Sequence, residues 1–424
     1  MKILWISNLV PAMVADVIRR KRSNKEGWVA GAMECVLQHA KADGLQLAVA
    51  FPLLQEENLH GKVRGLEYFG FIEDTAHPEN YDAALVASLG RICEEYRPDV
   101  IHVYGTEFPH TLAMLRIDEW KKRTLVHLQG LMQPCTDAYF GGLPAEVTER
   151  ATFRDVLRRD SLAMQKEKYE RRAVNESEAL ALAEYACGRT AFDKEYFAKH
   201  HPDGSYFACN ETLRSCFYEG MWDAEACSPH SIVMSQGNIP LKGAHVMIEA
   251  LAILRKRYPD VTLTVAGDNI LRGNGPMDAL KRCGYGKYLR EQIRRHGLQD
   301  AVRYVGQKKD VQMKELYLSS AVYVLPSFVE NSPNSLGEAM MLGMPCVASR
   351  VGGIPSQASE GEVRFTEPGD AKGIAEAVSA IFEDREAAKE LGLAGRKRAM
   401  LSYDREANYK MLLWIYDNIV KENQ

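Results

Sequence analysis

Short apolar runs recur along the chain, separated by stretches of helical periodicity. "KILWIS" (Lys2 to Ser7), "LQLAVAFP" (Leu45 to Pro52), "DVIHVYG" (Asp99 to Gly105) and "TLVHLQG" (Thr124 to Gly130) read as buried strands. Between them "GWVAGAMECVLQHAKADG" (Gly27 to Gly44) and "YDAALVASLGRICEEY" (Tyr81 to Tyr96) carry a helical period. The stretch from Ala145 to about Leu182 is long, charged and helical. The alternation then starts again at "SPHSIVMSQG" (Ser228 to Gly237). It continues through "VTLTVAG" (Val261 to Gly267), "VRYVG" (Val302 to Gly306), "VYVLPS" (Val322 to Ser327) and "PCVAS" (Pro345 to Ser349). Strand–helix alternation of this kind predicts parallel sheets with helices on both faces. Two such α/β domains are expected, at 1–227 and 228–402, with a final amphipathic helix over 403–424 packing back on the first. Two Rossmann-like sheets would face a central cleft, and ligands of open α/β sheets bind beyond the carboxyl ends of the strands.

Composition narrows the class without naming it. At 424 residues the chain is too long for one ordinary core. With 46% hydrophobic and 26% charged residues it reads as a soluble globular protein. The net charge of −4 gives no nucleic-acid footprint. No apolar run reaches about 18 residues, and the start "MKILWISNLV" lacks a signal-peptide cleavage site. The nine cysteines include no C-x-x-C pair, which predicts reduced thiols in a cytoplasmic protein.

Candidate chemistry concentrates in "VENSPNSLGEAMMLGMPCVAS" (Val329 to Ser349). Glu330 lies in a loop after a strand, and Glu338 is expected in the first turn of the helix that follows, with Asn334 or Ser335 as its cap. The amides from Asn334 to Gly337 offer unpaired donors and the positive end of a dipole, which suits a phosphate. A deeper carboxylate suits a ribose and a nearer one a sugar hydroxyl, so a nucleotide-sugar pocket without a metal is one reading. A helix start that simply favours glutamate is the other.

The wider context resembles a family. The "E-x7-E" spacing after "VLPS" and before "GMPCVASRVGGIP" is similar to the family 4 retaining glycosyltransferases of GT-B fold. So are "LKGAHVMIEAL" (Leu241 to Leu251), "LTVAG", "VRYVGQ" and "YLSSAVYVLPS". The resemblance covers nearly all of the second domain, and the chain resembles bacterial polysaccharide and exopolysaccharide transferases. It implies that Glu330 contacts the donor sugar, Glu338 the ribose and Lys242 the diphosphate. The amides of Ser335 and Leu336 would assist, with Asn331 and Ser332 beside them. The family usually carries an arginine where "GNIPLKG" has Asn238, and an amide lacks the guanidinium's bidentate charge. Arg189, Arg214 and Arg272 are candidate replacements.

In the first domain the resemblance is carried by "MKILWISN" and "EGWVAGAMECVL". It implies that Gly27, with Gly31, lets backbone approach the donor closely. Gln129 stands where the family often has a histidine and is expected to bond the donor sugar as part of the catalytic set. His127, two residues earlier, reads as a core histidine. Thr106 and Glu107 are expected on the acceptor side.

The implied activity is a retaining, metal-independent hexosyl transfer from a nucleotide-diphosphate sugar to a glycan or lipid-linked glycan, in cell-surface polysaccharide or glycoconjugate synthesis. No cofactor beyond that donor substrate is expected, and no Asp-x-Asp metal motif is present. The basic segments "RRKRSNK" (Arg19 to Lys25) and "WKKR" (Trp120 to Arg123) suggest peripheral contact with the inner face of the plasma membrane. Alternatives are a non-catalytic GT-B sugar-binding protein, which the Asn238 departure favours, and a GT-B nucleotide-sugar epimerase. A dinucleotide oxidoreductase is disfavoured, because neither "ISNLVPAM" nor "GDNILRGNGP" fits G-x-G-x-x-G.

Overall fold

The computed structural model describes residues 1–20, 27–55, 59–273 and 275–423. The chain forms two compact units, one from residues 1–133, 169–214 and 403–424, the other from 134–168 and 215–402.

The first unit is built on strands β1 (Lys2–Ile6), β2 (Gln46–Leu53), β3 (His60–Val63), β4 (Leu66–Ile72), β5 (Val100–Tyr104), β6 (Thr124–His127), β7 (Tyr185–Gly188) and β8 (Ser205–Ala208). Their order is β3-β4-β2-β1-β5-β6-β7-β8, parallel except for the edge strand β3. The central strands read as unbroken apolar runs because both faces are covered. Ile3 and Trp5 pack on one face with Val29, Met33 and Val36, and with Ile415 and Tyr416 of the helix Arg405–Glu422. Leu4 and Ile6 pack on the other with Leu85, Leu89 and Ile92 of the helix Ala84–Tyr96. This alternation is the period-two geometry of a strand.

The second unit carries β9 (Ser228–Met234), β10 (Thr262–Val265), β11 (Val302–Tyr304), β12 (Ser320–Leu325), β13 (Cys346–Ser349) and β14 (Arg364–Thr366), all parallel, in the order β11-β10-β9-β12-β13-β14. The chain runs outward from β9 to β11, then returns to β12 on the other side of β9. The direction of winding therefore reverses between β9 and β12.

Two expectations need correction. The units do not divide at Cys227. Residues 215–227 go with the second unit, where Trp222 donates its indole N–H to the Ser320 carbonyl (2.8 Å) and its amide to Leu342 O (2.7 Å). Residues 134–168 also belong there, held by His245 Nε2 to Gly141 O (2.8 Å) and by the Gly284 amide donating to Asp155 (2.8 Å). The long helical stretch expected over 145–182 is interrupted, forming three helices, Ala145–Thr148, Phe153–Arg158 and Leu162–Leu182. Thr152 opens the middle one with a reciprocal capping box to Asp155, and Arg159 closes it in the left-handed region at φ 49°.

Candidate active site

The topological switch of the second unit places two loops side by side at the carboxyl ends of β9 and β12, where an open α/β sheet binds its ligands. The backbones are tied directly, since Phe328 N–H donates to Leu241 O at 2.8 Å. Gly243 makes the approach possible. Its φ is +71°, and a Cβ there would meet the Pro326 carbonyl at 1.9 Å. Across this seam Lys242 Nζ donates to Glu330 Oε1 at 2.6 Å, and Ser327 Oγ donates to the same oxygen at 2.7 Å. Both charged side chains are largely sheltered, at 19% and 10% exposed. The two residues assigned to diphosphate and sugar thus meet, though they are 88 positions apart.

The helix beyond the second loop runs over Asn334–Met341. Pro333 takes the N-cap position, with no side-chain cap, so neither Asn334 nor Ser335 caps it as expected. The Ser335 hydroxyl is engaged elsewhere, accepting from Tyr323 OH at 2.8 Å while Ser235 Oγ lies 3.0 Å from the same phenol. The Leu336 amide expected to meet a phosphate is taken up by the turn, donating to Pro333 O at 3.1 Å. The Ser335 amide has no partner among the described residues. Glu338 lies one position beyond the first turn and is buried, at 6% exposed. Asn331, Ser332 and Asn238 are half-buried in the two loops.

In the first unit the winding reverses between β1 and β5. Gln129 follows β6, and its Nε2 donates to Glu211 Oε1 at 2.5 Å. Glu211, which no motif pointed to, is buried and also pairs with Arg189 Nη1 (3.2 Å), while His127 Nε2 lies 3.5 Å away. Arg189 is therefore committed to a carboxylate of its own unit. Arg272 is exposed in the left-handed region at φ 51°.

Thr106 and Glu107, expected on the acceptor side, are both engaged within the first unit. Thr106 is buried and gives its hydroxyl to Glu176, while Glu107 accepts the Gly130 amide at 2.8 Å. Both brace the β5 loop against the β6 loop. Glu176 completes the brace, accepting from Met132 N–H and Tyr196 OH, each at 2.7 Å. Burial raises its pKa to about 7, against the lowering effect of its three donors. Gly31 serves packing, since a Cβ would lie 2.6 Å from the Leu213 carbonyl. Gly27 is the first residue of the helix Gly27–His39. Residues 21–25 of the basic segment lie outside the described residues. In the other basic segment Lys121 is paired with Asp118 (2.8 Å), and Trp120 is buried.

Among the described residues two groups have metal-like geometry, His102–His127–Cys187 and Cys35–His39–Glu406. One proton arrangement satisfies the first without a cation. Trp5 Nε1 donates to Tyr416 OH (2.9 Å), Tyr416 OH to His102 Nδ1 (2.6 Å), and His102 Nε2 to His127 Nδ1 (3.2 Å). Burial lowers the pKa of His127 to about 4 and that of His102 well below its usual value, so both rings are neutral. In the second group the half-buried His39 Nε2 lies 3.3 Å from a carboxylate oxygen of the exposed Glu406.

Residues 228–398 match the family model described as Glycosyl transferases group 1. The glycogen synthase of Mycobacterium tuberculosis is 30% identical over 164 residues, 38% of this chain and 36% of that enzyme. The MMP alpha-(1->4)-mannosyltransferase of Mycolicibacterium hassiacum is 27% identical over 191 residues, 45% of this chain and 43% of that enzyme. The match thus spans less than half the length of each of these relatives. Two solved structures align over the whole fold. The sucrose-phosphate synthase of Thermosynechococcus elongatus gives a TM-score of 0.69 at 16% identity, covering 100% of both chains. Anabaena HepE in complex with UDP-glucose gives 0.66 at 19% identity, covering 99% of this chain and 100% of that one. The chain has the GT-B fold of these glycosyltransferases, with two parallel-sheet α/β domains.

Proposed function

We propose that the protein is a retaining glycosyltransferase that moves a hexosyl group from a nucleotide-diphosphate sugar to a hydroxyl of a glycan or lipid-linked glycan, in cell-surface polysaccharide or glycoconjugate synthesis. The observation that carries this reading is the Lys242–Glu330 pair, built from both loops of the switch point beside an uncapped helix start. The diphosphate would take Lys242 as its cation, with the first amides of Asn334–Met341 as neutral donors. These groups are fixed before the bond breaks and face the charge that develops on the leaving group. Released from Lys242, Glu330 accepts from a donor-sugar hydroxyl, and Glu338 accepts from the ribose. The acceptor hydroxyl attacks the anomeric carbon, the bond to the diphosphate breaks, and the departing phosphate takes the proton. No metal is assigned to this step. The nine free cysteines fit a reducing, cytoplasmic setting.

The test is a thermal-shift panel of nucleoside diphosphates and nucleotide sugars on wild type, Lys242→Ala and Glu338→Ala. UDP-hexoses come first, because HepE holds UDP-glucose. A selective rise in Tm that both variants lose supports the site, and no rise with any nucleotide overturns it. Asn238 favours a second reading, a binding protein without transfer. Release of nucleoside diphosphate in the presence of acceptor glycans decides between the two.

A further inference from the structure

The helix Phe153–Arg158 of the second unit is inside out. Its one buried residue is Asp155, while Phe153, Val156 and Leu157 are 68%, 65% and 73% exposed. A surface helix ordinarily does the reverse. The arrangement is firmly made. The Asp155 carboxylate accepts from the Thr152 amide (3.0 Å), the Gly284 amide (2.8 Å) and Arg154 Nη1 (3.0 Å). Thr152 Oγ1 donates to Arg282 O at 3.0 Å. The short helix Pro276–Leu280 ends just before that joint and buries none of its residues, leaving Met277 and Leu280 exposed as well. Five large apolar side chains therefore stand on two helices that leave one joint. Large apolar side chains exposed together on either side of one joint mark a candidate interaction surface.

The charges indicate the partner. Arg154 is neutralised by Asp155 and Asp160 (3.0 and 2.8 Å). Arg158, Arg159 and Lys281 are exposed and have no ion-pair partner among the described residues. Side chains exposed by two thirds project outward, as suits a flat apolar boundary rather than a groove. Cations beside them suit an anionic headgroup layer. We propose that Phe153, Val156 and Leu157, backed by Met277 and Leu280, insert into the interface of an anionic bilayer, with Arg158 and Arg159 at the headgroups. The proposal rests on the proposed function for its purpose, the meeting of a lipid-linked acceptor, but not for its test.

The test is sedimentation of the full chain with vesicles of phosphatidylcholine, with and without phosphatidylglycerol. Wild type is expected to pellet with the anionic vesicles. Phe153→Ser/Leu157→Ser is expected to weaken partitioning by about 10-fold or more. Arg158→Ser/Arg159→Gly is expected to weaken it by about 5-fold per charge at low salt. Both variants alter exposed side chains, and each must keep the wild-type Tm. A wild type that stays in the supernatant overturns the proposal, as does a Phe153/Leu157 variant that pellets like wild type. Light scattering that shows a dimer which this variant dissociates would assign the patch to self-association instead. The nucleotide thermal shift is read on the same samples. A shift without vesicle binding sinks only this proposal, and vesicle binding without a shift sinks only the donor-site reading.

Discussion

Lys242 and Glu330 hold each other at 2.6 Å, and that contact sets opposite expectations for the two residues. Lys242→Ala removes the cation proposed to meet the diphosphate. Transfer should fall about 10²- to 10³-fold, the usual effect of losing one preorganised donor, and the nucleotide Tm shift should go with it. Glu330→Gln instead weakens the hold on Lys242 and removes a negative charge beside the proposed phosphate site. The free nucleoside diphosphate should then bind as well as to wild type or a few-fold tighter, while sugar transfer is lost. Calorimetric titration with the diphosphate, set beside initial rates, checks both. If Glu330→Gln weakens the diphosphate as much as Lys242→Ala does, the carboxylate serves the phosphate end and not the sugar. Gly243 can be tested without ligand. Gly243→Ala places a methyl on the Pro326 carbonyl and strains φ +71°, so it should cost about 2 kcal/mol or more in urea unfolding. These roles were legible to different degrees. The Glu330 and Glu338 spacing stood in the chain, but Glu176 did not. It sits in a charged run, and only its place between the buried Ala173 and Leu180 on one helical face marks it as inward.

The β5 and β6 ends of the first unit carry titratable groups of opposite sense, and their balance predicts a pH dependence. His127 titrates near 4 when folded and near 6.5 when unfolded. Between those values the unfolded chain takes up a proton that the folded one refuses, so stability falls with pH by about 1.4 kcal/mol per unit. His102 adds to this in the same direction. Glu176 works the other way. Its folded value of about 7 lies above the unfolded one, so it favours the fold as pH falls from about 7 to about 4.5. Two histidines against one carboxyl leave a net loss toward acid, expected as a falling urea midpoint between about pH 6.5 and about pH 4.5. A flat profile would show that the histidine chain gains protons within the fold. Periodicity reads elements well where burial is two-sided and poorly elsewhere. β1, β2, β5 and β6 were visible as apolar runs. The edge strand β3, "HGKV", alternates exposed with half-buried positions and carries no apolar run. The break at Thr152 was hidden because capping residues also occur in helix interiors.

Across the whole molecule the order of segments in sequence is not their order in space. The boundary expected at Cys227 came from the restart of strand alternation, and periodicity cannot reveal that residues 134–168 leave the first unit. The helix Arg405–Glu422 carries the larger energetic weight. Leu412, Ile415, Tyr416 and Ile419 are part of the core over β1, and the Tyr416 hydroxyl joins Trp5 Nε1 to His102. Tyr185 OH donates to Glu422 at 2.6 Å near its far end. Removing residues 403–424 would expose that face and orphan a buried indole and imidazole. Losses of about 2–5 kcal/mol for each large buried side chain exceed the stability of an ordinary domain. The truncated chain should therefore lose the cooperative unfolding of the first unit. Glu330, Lys242 and Glu338 all lie in the second unit, which ends at Ser402. Its nucleotide-dependent Tm shift should survive the truncation while transfer disappears. Calorimetry of both chains, with and without the diphosphate, reads both effects. Loss of the nucleotide shift along with the first unit would show that the donor site depends on the first unit and is not complete within residues 134–168 and 215–402.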